Sequence, residues 1–364
     1  MIPIYEPFLN GNEKKYVNDC IDSSWISSRG KYISLFEDEI KNFVGRKFAS
    51  SCSNGTTALD LAMKALEIGN GDEVITTSFT YVASTNSILI NDATPVFVDI
   101  EKESWNMNAS LIERVITNKT KAIIISNVYG YLPNIDEIQK ICNKYNLFLI
   151  EDSAESLGAS YKNKMSGSFG DISTFSFFGN KTITSGEGGM VLTDCSKLHS
   201  KINILKNQGN SPDRKYFHSI LGYNYRMTNI QAAIGLAQFE QLNKIKDLKK
   251  KIYEIYHKEL SPFVNFQNIL HQDIIPSYWI ITILLDNEAI TKKIIKKLQL
   301  AQIETRPLFF PIDELPFYTQ SNNLPITKDI YKRGLCLPSY PGLAKESQLN
   351  VISIIKQTLI ENNG

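Results

Sequence analysis

The chain has 364 residues, 43% of them hydrophobic, and its 39 Lys and Arg residues against 38 Asp and Glu residues give a net charge of +1. This length allows two domains, or one large domain with an appendage, around a sizeable core. The near-neutral charge provides no global field that would attract nucleic acid or an anionic membrane. Five scattered cysteines without a C-x-x-C pair, no signal-peptide pattern and no apolar run long enough to cross a bilayer predict a cytoplasmic protein with reduced thiols.

Two helices are predicted near the N-terminus, because Asn10 and Ser34 are each followed three residues later by Glu, the spacing of a capping box. Gly45 is predicted to end the second helix. The loop between them, residues 25–30, is polar, ends in glycine and contains an aromatic residue and an arginine. Both a capped turn around a buried Trp25 and a ligand-binding loop are consistent with it.

From residue 48 to about residue 194, short continuous apolar runs alternate with helical periods. Continuous runs are typical of strands covered on both faces, and the alternation of strand and helix predicts a mainly parallel α/β sheet. Ligands of such sheets bind beyond the carboxyl ends of the strands. The predicted strands are residues 73–76, 95–99, 122–125 and 147–150, and the predicted helices are residues 57–68, 84–91, 108–117 and 135–146.

The C-terminal third is predicted to form a second, smaller α/β domain. A helix at 196–207 and a glycine- and aromatic-rich loop lead into an unbroken helical pattern over 230–260, and the domain boundary is placed within that helix. The predicted domains are therefore residues 1–245 and 246–364. The smaller one should contain a strand at 278–285, a helix at 289–300 and a proline-punctuated stretch at 307–341.

Lys181 follows the aromatic residues of an apolar run and precedes the glycine-rich turn at 186–189, which indicates a packed pocket. Desolvation lowers the pKa of a lysine below its usual value of about 10.4 and produces a nucleophilic amine. Taken alone, this segment favours an ordinary surface lysine. The other motifs change that interpretation.

Residues 53–59, Ser-Asn-Gly-Thr-Thr-Ala-Leu, follow a short strand and open a helix. Backbone N–H groups and hydroxyls at a positive helix end predict an anion cradle, unless Ser53 or Thr56 merely caps the helix. A P-loop is excluded, because residues 179–182 lack the glycine directly before the lysine. A dinucleotide fingerprint is excluded as well, because the glycines at 186–189 precede a strand instead of following one.

Asp152 lies where the predicted strand 147–150 ends, between the carboxylates of Glu151 and Glu155. A carboxylate at that edge can keep a heterocyclic nitrogen protonated, which is what a pyridinium electron sink requires. A metal site is the competing interpretation, but no histidine lies nearby.

In chain order, the phosphate cradle, the aromatic turn around Tyr81, the strand-end Asp152 and the pocketed Lys181 resemble the pyridoxal 5'-phosphate (PLP) enzymes of aminotransferase fold type I. The closest resemblance is to the sugar-nucleotide aminotransferases of the DegT/DnrJ/EryC1/StrS family, and it extends over nearly the whole chain. Each motif alone is weak, whereas the ordered set is specific. The resemblance implies a large PLP-binding domain, with a mainly parallel mixed sheet flanked by helices, and a smaller C-terminal α/β domain.

The resemblance also implies roles for single residues around the cofactor ring. Lys181 would bind the cofactor covalently, and Asp152 would pair with its pyridine nitrogen. Tyr81 would stack on the ring, although a core tyrosine is the alternative. Glu155 would lie near the phenolic oxygen, at a position where family members often carry histidine or glutamine.

Four further positions match residues that hold the cofactor phosphate in the family. Gly55, Thr56 and Ser176 would bind it within one subunit. Asn224 matches an asparagine that reaches the phosphate of the other subunit's cofactor. The resemblance therefore implies a homodimer or a higher homo-oligomer with shared active sites.

Residues 25–30 and 304–311 most resemble the branch of the family that aminates C4 of GDP-4-keto-6-deoxymannose, with L-glutamate as donor and 2-oxoglutarate as its product. The implied substrate residues are Trp25, Ser27, Arg29 and Arg306, although Arg306 is equally consistent with a structural arginine. Some relatives replace the lysine with histidine and are sugar dehydratases, so Lys181 favours transamination. A dTDP- or UDP-linked keto sugar as substrate, and a non-catalytic binding or regulatory protein, are the alternatives.

Overall fold

The fold is that of a computed structural model, which describes residues 1–318 and 322–363. Residues 319–321 of the predicted 307–341 stretch, and Gly364, lie outside the described residues. The described chain forms one large sheet, one four-stranded sheet and one three-stranded sheet, with helices around them.

The large sheet has seven strands in the spatial order β1-β9-β8-β5-β4-β2-β3. Strands β2 to β5 and β8 pair in parallel, and β9 runs antiparallel to both β8 and β1. The sheet is therefore mixed but mainly parallel, as predicted. Its strands are β1 (Phe48–Cys52), β2 (Glu73–Thr77), β3 (Thr94–Val98), β4 (Thr120–Ser126), β5 (Phe148–Asp152), β8 (Ile172–Ser176) and β9 (Gly189–Thr193).

Helices accompany this sheet on both faces, and apolar cores lie between them and the strands. A core of alanine, leucine and isoleucine side chains lies between the third helix and the sheet, and a second core covers the opposite face. The helices are α1 (Glu13–Asp22), α2 (Lys31–Val44), α3 (Gly55–Ala65), α4 (Val82–Ile90), α5 (Ile135–Tyr145), α6 (Ser196–Lys206) and α7 (Asn229–Phe239).

The C-terminal part has its own apolar core, built on the four-stranded sheet β10-β12-β14-β13. The boundary predicted at residues 245/246 remains a prediction. The remaining strands are β6 (Ser160–Tyr161), β7 (Lys164–Met165), β10 (Asn265–Phe266), β11 (Ile274–Ile275), β12 (Ile281–Leu284), β13 (Arg306–Pro307) and β14 (Gly334–Leu337). The remaining helices are α8 (Leu242–Leu260), α9 (Glu288–Leu300), α10 (Pro325–Arg333) and α11 (Lys345–Asn363).

The two predicted helix starts near the N-terminus are wrong. Helix α1 begins three residues after Asn10, and the Glu13 carboxylate accepts a hydrogen bond from the Gly11 N–H at 2.8 Å instead of reaching back to Asn10. Helix α2 begins before Ser34, because the side chain of Asn229 accepts from the Tyr32 N–H at 3.1 Å. That cap comes from a residue distant in sequence, so a local pattern cannot reveal it.

Two other predicted helices differ from the structure. The helix predicted as unbroken over 230–260 is divided into α7 and α8. At the end of α7 the Gln241 N–H bonds to the Gln238 carbonyl at 3.0 Å, and this tighter turn ends the α-helical ladder. The helix predicted at 108–117 is a 3₁₀ helix, Ala109–Val115. Gly45 ends α2 in the left-handed conformation, with φ of 81°, as predicted.

Candidate active site

The predicted motifs meet in one cavity of about 660 Å³ at the carboxyl ends of β5 and β8 and the N-terminus of α3. This is the edge at which parallel α/β sheets bind ligands. Its walls come from both parts of the chain, since a segment after β13 covers it from the C-terminal side. Residues from the predicted set that line it are Gly55, Thr56, Tyr81, Asp152, Glu155, Ser176, Lys181 and Arg306.

Lys181 lies in the loop that joins the antiparallel strands β8 and β9. The Lys181 N–H bonds to the Phe178 carbonyl at 2.9 Å, which makes a turn and directs the side chain into the cavity wall. Its Nζ lies 4.1 Å from the centroid of the Trp279 ring and 3.9 Å from Glu155 Oε1. Burial lowers the pKa of Lys181, while the nearby carboxylates of Glu155 and Asp152 oppose that shift.

The backbone around Lys181 is fixed from two sides. The Tyr5 hydroxyl donates to the Lys181 carbonyl at 2.5 Å, and Trp279 Nε1 donates to the Asn180 carbonyl at 2.7 Å. These contacts come from the N-terminal segment and from the chain just before β12. These contacts fix the backbone from which the Lys181 side chain extends into the cavity.

Asp152 is the last residue of β5 and is buried. The Ser84 hydroxyl donates to Oδ2 at 2.5 Å, and the Ala154 N–H donates to Oδ1 at 3.1 Å. Burial raises the pKa of Asp152, while the two donors and Lys181 oppose the shift. Both carboxylate oxygens are thus held in a fixed direction.

Glu155 is the second buried carboxylate of the cavity. Its Oε2 accepts a hydrogen bond from the Tyr129 N–H at 2.8 Å. Burial raises the pKa of Glu155 to about 7, and the Lys181 ammonium is the largest opposing effect. Tyr129 holds this position with a backbone φ of 55°, which non-glycine residues rarely adopt.

The anion cradle lies at the N-terminus of α3. Asn54 caps the helix, with its side chain accepting from the Thr57 N–H, so the N–H groups of Gly55 and Thr56 stay unpaired within the helix. A Cβ atom at position 55 would lie 2.7 Å from the Ser176 Cβ, so only glycine fits this approach. A negatively charged group is stabilised at such a site.

Tyr81 lies at the mouth of the cavity and is 57% exposed, so the alternative of a core tyrosine is wrong. Its ring centroid lies 6.4 Å from that of Phe309, a residue of the covering segment. Phe309 in turn stacks on Tyr129 at 4.8 Å. The covering segment therefore rests on the residue that holds Glu155.

Four predicted residues do not line the cavity: Trp25, Ser27, Arg29 and Asn224. Asn229 holds the backbone of the first of these segments, because its N–H donates to the Ser27 carbonyl at 2.6 Å and its Nδ2 to the Trp25 carbonyl at 2.7 Å. The Trp25 side chain is 56% exposed, so the interpretation of residues 25–30 as a turn around a buried tryptophan is wrong. Asn224 is exposed and accepts a hydrogen bond from Arg226 Nε at 2.9 Å.

Several residues of the site were not predicted from the sequence, among them Ser84, Thr174 and Trp279. Ser84 lies three residues after Tyr81 in the same motif, which was a usable signal. Thr174 lies two residues before Ser176 in β8, and residues two apart in a strand face the same side of the sheet. No local pattern links Trp279 to Lys181.

The residues of the cavity fit PLP. The buried Thr174 hydroxyl lines the cavity and has no hydrogen-bond partner among the described residues. The N–H groups at the start of α3 are free to bind an anion, at a place where a Cβ on residue 55 would crowd Ser176. A buried carboxylate and an amine, those of Asp152 and Lys181, line the same cavity. In the part of the chain that the structure describes, no group of three or more His, Cys, Asp or Glu side chains could hold a metal ion. Among the same residues, no helix is both long and apolar enough to cross a membrane.

Comparison with known proteins agrees with this site. The chain is 46% identical to the GDP-perosamine synthase of Escherichia coli O157:H7 over 357 residues, and 46% identical to that of Vibrio cholerae over 361 residues. In both cases the match covers 98% of this chain and 98% of the relative. The fold matches the PLP form of Spr1654 from Streptococcus pneumoniae with a TM-score of 0.94 and 26% identity, over 99% of each chain. The model of the DegT/DnrJ/EryC1/StrS aminotransferase family matches residues 7–356, and the chain belongs to that family of PLP-dependent aminotransferases.

Proposed function

We propose that this enzyme transfers the amino group of L-glutamate to C4 of GDP-4-keto-6-deoxy-D-mannose and so forms GDP-perosamine, a sugar nucleotide for the O-antigen of lipopolysaccharide. The observation that supports this most strongly is the 46% identity, over 98% of both chains, with two GDP-perosamine synthases. The reaction needs an amine that can gain and lose a proton beside a site for an anionic cofactor. The cavity supplies both.

When bound, PLP carries the amino group between donor and acceptor and withdraws the electron pair left on carbon. Lys181 would hold it covalently and, once released, would move the proton at the reacting carbons as a general base and acid. Burial favours the neutral amine that this role requires. Asp152 would hold a proton on the ring nitrogen, with its orientation set by Ser84 and Ala154.

The roles of the other cavity residues are proposed from their positions in the cavity wall. The Gly55 and Thr56 N–H groups and the Ser176 hydroxyl would bind the phosphate. Tyr81, at the mouth of the cavity, would cover one face of the ring. Arg306 lines the wall beside aromatic residues and would bind a diphosphate or a carboxylate of the substrate.

We further propose that the active enzyme is at least a homodimer in which Asn224 completes the neighbour's phosphate site. The segment before Asn224 exposes apolar side chains, with Tyr216 97% and Leu221 83% exposed, which a second copy would cover. Residues 25–30 lie against the start of α7 and expose Trp25, so we propose that Trp25, Ser27 and Arg29 also reach substrate in a neighbouring subunit. The five cysteines are free and four are buried, which is consistent with the proposed cytoplasmic location.

The test of the dimer is dilution. Below the dissociation constant of the dimer, cofactor and activity should be lost together, since the phosphate site is then incomplete. A fully active monomer would refute the shared site.

The test of substrate is a comparison of kcat/KM for GDP-, dTDP- and UDP-linked 4-keto-6-deoxy sugars with glutamate as donor. The GDP sugar should be preferred, because a site that pairs with guanine leaves buried polar groups unpaired when a pyrimidine enters. Equal or better use of a dTDP or UDP sugar would refute the GDP assignment alone. Absence of any amino transfer would favour a binding or regulatory protein.

A further inference from the structure

Glu155 and Lys181 form a pair of opposite groups in the cavity wall. Glu155 Oε1 lies 3.9 Å from Lys181 Nζ, and both side chains are almost fully buried. The other carboxylate oxygen, Oε2, is held by the Tyr129 N–H at 2.8 Å. Oε1 is therefore the oxygen that faces the amine.

The two carboxylates near Lys181 differ in the number of hydrogen bonds that they accept from the protein. Asp152 receives one donor on each oxygen, from Ser84 and from Ala154. Glu155 receives a single backbone donor, on the oxygen that points away from the lysine. Donors stabilise the charged form of a carboxylate, so Glu155 is the better of the two acceptors for a proton.

Four titratable groups face Glu155 from the elements packed around it. They are Lys181 from the loop between β8 and β9, Asp152 from β5, Tyr129 from the chain after β4, and Cys336 from β14. Burial raises the pKa values of Tyr129 and Cys336, so both groups are neutral near pH 7. Lys181 and Asp152 are the neighbours whose charge can bear on Glu155.

We propose that Glu155 and Lys181 share one proton, so that Glu155 takes the proton that the Lys181 ammonium must lose before its nitrogen can bond to carbon, and returns it afterwards. The step is a transfer from Nζ to Oε1: an ammonium and a carboxylate become an amine and a carboxylic acid. The step involves no oxidation or reduction, and the net charge of the two side chains together is zero before and after it.

Transfer of the proton within the pair leaves the net charge of this buried site unchanged. Transfer of the same proton to solvent would leave an unpaired carboxylate in the buried site, at a cost in free energy. The separation of 3.9 Å is longer than a hydrogen bond. Catalytic hydrogen bonds are often long before ligands bind and shorten in the working complex. The raised pKa of Glu155, about 7, is consistent with a carboxyl group that carries a proton near neutrality.

The proton sharing is tested in the full chain freed of cofactor, by measuring the rate at which an amine-reactive reagent modifies Lys181 between pH 6 and 11. Peptide mass spectrometry separates Lys181 from the surface lysines, and the pH dependence of its rate gives its apparent pKa. In Glu155→Gln this apparent pKa should fall by about 1 to 3 units, because the amide removes the charge that favours the ammonium. The amide oxygen can still accept from the Tyr129 N–H, so the fold should be kept.

The matched control is Glu187→Gln. Glu187 lines the same cavity, but it does not contribute to the charges that act on Lys181. This variant should leave the apparent pKa of Lys181 unchanged. If Glu155→Gln does not fold, Glu155→Ala is measured with and without added formate, and formate should restore the higher apparent pKa.

An apparent pKa of Lys181 that is the same in Glu155→Gln and in the wild-type protein would overturn the proposal, as would the lack of any formate effect in Glu155→Ala. In the cofactor-loaded protein, the pH at which the visible absorbance changes should also move in Glu155→Gln. The inference rests on the proposed function only in taking Lys181 as the reacting amine. The labelling uses neither cofactor nor substrate, so its failure is distinguishable from a failure of the proposed amino transfer.

Discussion

Replacing Lys249 by methionine should change how the stability of the protein depends on pH. Lys249 lies in α8 with no exposed surface, and its Nζ donates to the Ser339 carbonyl at 2.9 Å. It also lies 5.2 Å from the ring centroid of Tyr5, the residue that holds the Lys181 carbonyl. Among the described residues no carboxylate opposes the effect of burial, which lowers the pKa of Lys249 from 10.5 to about 7.

The magnitude follows from this difference in pKa. At 1.36 kcal/mol per unit, the burial of the ammonium costs about 5 kcal/mol below pH 7, where the amine is protonated in both the folded and the unfolded state. Between pH 7 and 10.5 only the unfolded state binds the proton. Stability therefore rises with pH by up to about 1.4 kcal/mol per unit, and above pH 10.5 the cost is absent.

Methionine removes the titrating amine with little change in shape, and leaves the Ser339 carbonyl without its donor at a cost of about 1 kcal/mol. Lys249→Met should therefore be more stable than the wild-type protein by up to about 4 kcal/mol at pH 7. This gain should disappear, and become a small loss, as the pH approaches 10.5. Guanidinium unfolding of both proteins at a series of pH values measures the difference.

The matched control is Lys250→Met, on the next residue of α8, whose side chain is 63% exposed. Its stability relative to the wild-type protein should not depend on pH by more than a few tenths of a kcal/mol. A difference between Lys249→Met and the wild-type protein that stays constant from pH 7 to 10 would refute the assignment of a neutral buried amine.

Three further substitutions test the site. Lys181→Ala should keep the fold but abolish turnover, since it removes both the covalent anchor and the proton carrier, and substantial steady-state activity in this variant would contradict the role of Lys181. Asp152→Asn should fold and lose several powers of ten in kcat, because a neutral amide does not hold the pyridinium charge; a nearly normal rate would place that role elsewhere. Gly55→Ala should weaken PLP binding by about tenfold or more in an equilibrium titration, because the added Cβ would press on Ser176. The control Gly179→Ala should bind PLP normally, because its Cβ would meet no described atom within 4 Å.

Much of the site could be predicted from the sequence, because its residues follow strand ends or open a helix. Asp152 ends β5, Lys181 follows β8, and Gly55 opens α3, so the topology of a parallel sheet brings them to one edge. The order of these motifs along the chain is what resembles the DegT/DnrJ/EryC1/StrS family. Their roles remain predictions.

The parts that could not be predicted depend on contacts between distant segments. The start of α2 is set by Asn229, and the position of Lys181 is set in part by Trp279, neither of which leaves a local pattern. The positions of Trp25 and Asn224 have a different cause. Both lie on exposed segments away from the cavity of their own chain, and the site they are proposed to serve belongs to a second copy.

The most direct test of the proposed function is to follow the nitrogen itself. The purified, PLP-loaded enzyme is incubated with ¹⁵N-labelled L-glutamate and GDP-4-keto-6-deoxy-D-mannose, and the sugar product is examined by NMR, with Lys181→Ala as the control. The prediction is that ¹⁵N appears on C4 of the GDP-linked sugar, with formation of 2-oxoglutarate in equal amount, and that Lys181→Ala yields neither. Label on C3, or no label on the sugar while the wild-type enzyme retains its cofactor, would contradict the assignment of this chain as a GDP-perosamine-forming aminotransferase.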